Sequence, residues 1–144
     1  MITLRAQGKL GEGLTCRVET GKAMVEAGLH QATGGDGSAA CSGDMLLQAL
    51  AACAGVTLRA VATALDIPIT DGMVTAEGDL DFRGTLGVAK DAAVGFRAIR
   101  LRFELQTDAT EEQLQSLHKL TERYCVVYQS LRQPPSMECV ISKR

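Results

Sequence analysis

The spacing of apolar residues changes several times along the chain, and each change predicts an element. Residues 2–9 and 14–19 alternate, with Ile2, Leu4 and Ala6 on one phase and Leu14, Cys16 and Val18 on another, which predicts two strands. Gly11-Glu12-Gly13 between them is a turn signal, so the pair reads as an N-terminal hairpin. A short third strand is predicted around 23–27. The stretch 31–38 is polar and glycine-rich but lacks the Gly-Lys-Ser/Thr ending of a phosphate loop, so it reads as a flexible connection.

A helix is predicted over 44–65. Ser42 or Asp44 can cap it, and an acid there also suits the positive end of the helix dipole. Asp66-Ile67-Pro68 stops it, because proline cannot continue a helix. Its apolar residues wrap every face, the pattern of a helix buried all round or crossing a membrane. Gln48 and Arg59 interrupt the apolar run and no Trp or Tyr belt flanks it, which favours burial over a membrane. Ala49, Ala51, Ala52, Ala54 and Gly55 would let the backbone of a symmetry mate approach closely.

Two long strands follow over 73–82 and 94–105, the second alternating from Ile99 onward, with a polar hairpin loop over 83–93. A second helix starts at Thr110, with Glu111 and Glu112 in its first turn and a stripe of Leu114, Leu117, His118, Leu120 and Thr121. A third continues from Cys125 to Leu131. Pro134-Pro135 ends the helical region, and 137–142 reads as a final strand. Strands grouped apart from helices predict an α+β fold, an antiparallel sheet over central helices, in one domain spanning 1–144 without repeat or linker.

Composition narrows the function. A net charge of −2 provides no basic footprint, which argues against nucleic acid as a partner. Two Tyr, three Phe and no Trp leave the core to aliphatic side chains, and such a core often completes its burial with a second subunit. The first residues do not read as a signal peptide, so a cytoplasmic location is expected. Five cysteines, at 16, 41, 53, 125 and 139, include no CxxC, the usage of reduced, buried or catalytic thiols rather than a disulfide framework. His30 and His118 stand far from any cysteine pair, so no metal site and no cofactor is expected.

Two of those cysteines are the candidate chemistry. Cys53 lies in the apolar helix and Cys125 follows a polar helical stretch; brought together they would form a redox couple. A thiolate in a dry site needs a cation or hydrogen-bond donors. Cys53 is predicted mid-helix, where its own helix dipole helps little, so activation is expected from an arginine or polar group elsewhere. The alternative is that Cys53 is a small core hydrophobe. Asp44, nine residues before Cys53, falls on the opposite side of the same helix and roughly 13 Å along it. Within one chain it caps the helix; across a dimer it could approach the equivalent cysteine. Cys16, Cys41 and Cys139 read as structural.

The run Asp44-Met-Leu-Leu-Gln-Ala-Leu-Ala-Ala-Cys53 with Thr57-Leu58, and the run Cys125-Val-Val-Tyr-Gln-Ser-Leu131, resemble the two cysteine motifs of the OsmC/Ohr family. These are the osmotically inducible protein C and organic hydroperoxide resistance proteins. The resemblance implies an OsmC-like fold, antiparallel sheets wrapped around central helices in an intertwined homodimer, with two sites at the subunit interface. It further implies a thiol-dependent peroxidase acting on small organic hydroperoxides, with Cys53 as peroxidatic thiolate, Cys125 as resolving thiol and Asp44 in the place of a family glutamate. A dithiol reductant would regenerate it, a lipoyl-bearing protein in the hydroperoxide-type relatives. Three positions depart from the family pattern. Asp44 is one methylene shorter than the usual glutamate, Gly11-Glu12-Gly13 stands where an arginine loop is expected with Arg5 or Arg17 as substitutes, and Val126 replaces a proline. The rival expectation is a non-catalytic dimeric protein that binds a small apolar ligand at the subunit interface.

Overall fold

The computed structural model describes the strand backbones of residues 7–10, 15–19 and 24–28, and residues 30–144. The predicted turn at Gly11-Glu12-Gly13, the positions Ile2, Leu4, Ala6 and Leu14, and Arg5 lie outside the described residues, as do the side chains of Cys16 and Arg17. The chain divides into two compact units, one of residues 1–48 and 76–100, the other of 49–75 and 101–144.

The first unit holds a four-stranded sheet in the order β1 (Gln7–Leu10), β2 (Thr15–Glu19), β3 (Met24–Gly28) and β4 (Ala40–Cys41). β1 and β2 pair antiparallel with Leu10 opposite Cys16, which is the predicted hairpin. β3 pairs antiparallel with β2, Cys16 facing Ala27. β4 is parallel to β3 through Ala27–Ala40 and Gly28–Cys41. Two residues are too few for alternation to show, so β4 leaves no trace in the sequence pattern.

The stretch expected to be a flexible connection is instead ordered by its own hydrogen bonds. His30 Nδ1 accepts from the Ala32 amide at 3.1 Å, opening a 3-10 turn over Gln31–Thr33 that closes on Gly34 at φ 103°. Asp36 Oδ1 accepts from the Ser38 amide and hydroxyl at 2.8 and 2.6 Å. The His30 ring packs on Phe82 with 5.4 Å between centroids.

From β4 the chain enters α1 (Ser42–Ala64), which runs from the first unit into the second. Its end matches the sequence signal in detail. Asp66 adopts φ 53°, the Asp66 amide donates to Thr63 O at 3.2 Å and the Ile67 amide to Ala62 O at 2.9 Å. That paired closure is the Schellman motif, and the buried Ile67 beside Ala62 supplies its apolar contact before Pro68. By length and hydropathy α1 is also long enough to cross a membrane. Its buried residues form one stripe, Leu50, Ala54, Leu58, Val61 and Ala62, rather than the all-round burial expected. Within the chain the opposite face stays uncovered, Val56 being 73% exposed.

β5 (Asp71–Asp79) and β6 (Ala98–Gln106) form a two-stranded ribbon. The Thr70 amide meets Gln106 O at 3.0 Å and the Arg97 amide meets Asp79 O at 2.8 Å, which makes the pairing antiparallel. On the exposed side Arg100 grips Asp79 with two bonds of 2.6 and 2.8 Å. The loop expected between them contains α2 (Phe82–Thr85), opened by Asp81, whose side chain accepts from the Arg83 amide. Gly84 in α2 is buried against the carbonyls of Ala92 and Ala93, with no space for a Cβ. A Cβ at Gly78 on β5 would stand 2.5 Å from the Phe96 ring, which would have to shift to admit it.

The core lies in the second unit. Leu58, Val61, Ala62, Ile67 and Leu117 are buried together, with Ile69, Phe103, Leu105, Leu114 and Leu120 packed around them. β6 contributes one face to this core, its half-buried residues alternating with exposed ones. α3 (Glu111–Tyr124) begins with a reciprocal cap: the Gln113 amide donates to Thr110 Oγ1 at 3.2 Å and the Thr110 amide to Gln113 Oε1 at 2.9 Å. α4 (Val126–Arg132) follows after one residue.

The predicted final strand is not formed. Residues 133–144 hold no helix or strand, and Met137 and Ile141 are 91% and 94% exposed. The alternation over 137–142 is genuine, but a strand also needs an edge to pair with, and among the described residues the segment pairs with none.

Candidate functional site

The connection between α3 and α4 is a single residue, Cys125, which is at once the C-cap of α3 and the N-cap of α4. Its φ of −74° and ψ of 110° are extended, so the helix breaks there and restarts in a new direction. Its amide still donates to Thr121 O at 3.1 Å and its carbonyl accepts from the Gln129 amide at 3.0 Å. The first amides of a helix have no partners inside it and point out along the axis. Below Cys125 those are the amides of Val126 and Val127.

Three bonds fix this elbow. Gln129 Nε2 donates to Glu122 O at 2.7 Å, the Tyr128 hydroxyl to Glu122 Oε1 at 3.2 Å, and Arg132 Nη1 to the Tyr128 hydroxyl at 3.3 Å. Tyr128 therefore braces the turn; Tyr124 is exposed with Arg123 over its ring.

α1 brings Cys53 to this elbow, half-buried beside the Leu50–Ala54 stripe, whereas Cys125 is 1% exposed. Burial pushes the Cys53 thiol up, but it is outweighed by donors converging on the sulfur: the Val127 amide, the Cys125 thiol, the Val126 amide and the Thr57 hydroxyl. The net result is a Cys53 pKa below the ordinary thiol value. Cys125 moves the other way. Burial raises it, and the adjacent Cys53 sulfur raises it further as hydrogen-bond acceptor and as negative charge, against partial relief from the Tyr128 and Val127 amides. The two thiols are thus displaced in opposite directions, Cys53 toward the thiolate and Cys125 toward the thiol.

The sequence expectation placed Cys53 and Cys125 together, and the structure does so. It expected an arginine or polar group to activate Cys53; among the described residues the activators are backbone amides and two side chains, and no cation acts on either sulfur. Arg59, the charge nearest in sequence, donates to Ile69 O at 2.9 Å. Asp44 is exposed in the first turn of α1, in the other unit, and is not among the groups that act on the thiols. Thr57 entered the sequence reading only as part of the motif, without a role, and the Val126 and Val127 amides escaped it. Thr57 had a usable signal, since residues four apart share a helix face; a backbone amide has none beyond the extended residue that precedes it.

Cys41 is a half-buried thiol in β4 and Cys139 an exposed one. Among the described residues no cluster of His, Cys, Asp or Glu could hold a metal ion. What the arrangement suits is two-electron thiol chemistry: a thiol displaced toward thiolate with one displaced toward the protonated form beside it, the pairing that closes to a disulfide once the first sulfur is oxidised.

Residues 35–140 match the family described as OsmC-like protein. No curated protein matches the chain. Among solved structures, an OsmC-like protein from Mycoplasma pneumoniae superposes with a TM-score of 0.77 at 18% identity, covering 92% of this chain and 89% of that one. An organic hydroperoxide resistance protein OsmC from Legionella pneumophila gives 0.71 at 19%, covering 92% and 91%. The organic hydroperoxide resistance protein OhrB of Bacillus subtilis gives 0.62 at 19%, covering 92% and 93%. At these identities the likeness establishes the α+β architecture of the group. With a family match spanning most of its length, the chain belongs to the OsmC-like protein family.

Proposed function

We propose that this protein is a two-cysteine peroxidase that reduces small organic hydroperoxides, with Cys53 as the peroxidatic and Cys125 as the resolving residue. One observation carries the reading: the two thiols stand side by side with opposite displacements, Cys53 toward thiolate and Cys125 toward thiol. That is the division of labour the chemistry needs. The Cys53 thiolate attacks the distal oxygen of ROOH, the O–O bond breaks, and RO⁻ leaves and takes a proton to become the alcohol. Cys53 is then a sulfenic acid. The Cys125 sulfur attacks it, its proton and the sulfenic hydroxyl depart as water, and a Cys53–Cys125 disulfide remains. An external dithiol reduces that disulfide by exchange, its own sulfurs becoming a disulfide. Names of distant structural relatives, the hydroperoxide resistance proteins of Legionella pneumophila and Bacillus subtilis, agree with the substrate class.

The working form is proposed to be a homodimer in the reducing cytoplasm, where such thiols stay reduced between turnovers. Support comes from apolar surface that one chain leaves open: Val56 on α1, and Met137, Val140 and Ile141 on the C-terminal segment. Asp44, exposed at the start of α1, is proposed to serve the site from the partner subunit.

Steady-state consumption of cumene hydroperoxide with a dithiol tests the assignment. Cys53→Ser should be inactive, and Cys125→Ser should consume one equivalent and then stall. Full turnover by Cys53→Ser would refute it.

A further inference from the structure

α4 is too short and too exposed to hold its own direction. It has seven residues, none of them buried, and no side chain caps its first turn. A helix of that length is marginal by itself, so its orientation has to be fixed from outside it. The orientation matters to both thiols. The Val126 and Val127 amides that open α4 donate to the Cys53 sulfur, and the Tyr128 and Val127 amides to that of Cys125.

The ties that fix α4 converge on one residue of α3. Glu122 O accepts from Gln129 Nε2 at 2.7 Å, and Glu122 Oε1 accepts from the Tyr128 hydroxyl at 3.2 Å. Tyr128 and Gln129 are the third and fourth residues of α4, directly after the two amides that reach Cys53. The carboxylate is itself held, since His118 Nε2, one turn earlier on α3, lies 3.1 Å from the same oxygen. Arg132 Nη1 donates to the Tyr128 oxygen at 3.3 Å, which leaves the phenol hydrogen for Glu122. Donation into the phenol oxygen strengthens the bond its hydrogen makes, so the chain from Arg132 through Tyr128 to Glu122 reinforces itself. Glu122 is not among the groups that act on either sulfur.

We propose that Glu122 is a positioning residue of the thiol site: its carboxylate, through the Tyr128 hydroxyl, sets the direction of α4 and so aims the Val126 and Val127 amides at Cys53. A residue that touches neither thiol thereby governs the reactivity of the pair. The proposal rests on Cys53 being the reacting thiolate.

Alkylation of the reduced protein by iodoacetamide across pH, read peptide by peptide, tests this. No peroxide is present, so a failure here is distinct from a failure to turn over hydroperoxide. Glu122→Ala and Tyr128→Phe should each move the Cys53 profile to higher pH and slow its alkylation near neutral pH by roughly threefold or more. Glu122→Gln keeps an oxygen that accepts from Tyr128 and should stay within about twofold of the unaltered protein. Cys139, an exposed thiol, supplies the reference rate within each sample. Tyr128→Phe removes a single oxygen atom, so the test holds even if Glu122→Ala does not fold. An unmoved Cys53 profile in Tyr128→Phe, whatever its urea midpoint, would overturn the proposal and leave the brace a purely structural role. Equal effects of Glu122→Gln and Glu122→Ala would also overturn it, because the charge rather than the accepting oxygen would then be the cause.

Discussion

Thr57 stands one turn beyond Cys53 on α1 and presents its hydroxyl to the Cys53 sulfur. The same hydroxyl on a neighbouring face would be a solvated side chain; here it stabilises a charge. Thr57→Val keeps the shape and removes the donor. Thr57 is the weakest of the donors acting on Cys53, so its loss should slow alkylation by iodoacetamide near neutral pH by roughly two- to threefold, short of the full strength of a hydrogen bond to a charged group, and Thr57→Ser should recover most of the rate.

The two thiols predict a specific pH response. Cys53, with its pKa lowered in the folded state, contributes stability that is present above the unfolded thiol value and is lost as pH falls through the folded one. Cys125, with its pKa raised, contributes in the opposite sense, below the unfolded value, and loses that contribution as pH rises through the folded one. Alkylation followed by peptide mass should therefore show Cys53 reacting at lower pH than Cys125. Cys125→Ala, which removes a donor, should move the Cys53 profile upward; a downward move would contradict the role of the Cys125 thiol as a donor to Cys53.

Val126 occupies the first position of α4, and its amide is one of the donors to Cys53. Proline is well accommodated at that position because the amide it lacks has no partner within the helix. Val126→Pro should thus leave the circular dichroism spectrum and melting temperature nearly unchanged while reducing Cys53 reactivity several-fold. Equal losses of stability and reactivity would show that the amide matters to the fold rather than to the thiolate.

Thr121 is 1% exposed and its hydroxyl has no partner among the described residues. A buried hydroxyl without a hydrogen bond costs about 1–3 kcal/mol, whereas valine has the same shape. Thr121→Val should raise unfolding stability by about 1 kcal/mol, seen as a higher urea midpoint at unchanged slope. A lower midpoint would show that the hydroxyl is satisfied in solution.

These residues also show what a sequence can and cannot convey. The end of α1 at Asp66-Ile67-Pro68 and the start of α3 at Thr110 were legible because a stop or a cap is written in local side chains. The two long strands were legible through their alternation. β4 was not, since two residues show no period, and α2 was hidden in a polar, glycine-bearing loop. The segment 137–142 carries a strand pattern without a strand, because pairing is a property of two edges and only one belongs to the segment. At the site, cysteine motifs pointed to Cys53 and Cys125 and an arginine or polar group was expected to activate the thiolate, whereas the Val126 and Val127 donors belong to the backbone. Main-chain amides become visible only when the break at Cys125 has a direction.

The most direct test of the central claim is the mass of the reduced protein after one equivalent of cumene hydroperoxide, digested without reductant. The account predicts one disulfide, Cys53–Cys125, in the unaltered protein, and sulfenic acid on Cys53 in Cys125→Ser. Thiols left unmodified at that dose, or a disulfide formed through Cys41 or Cys139 instead, would contradict it.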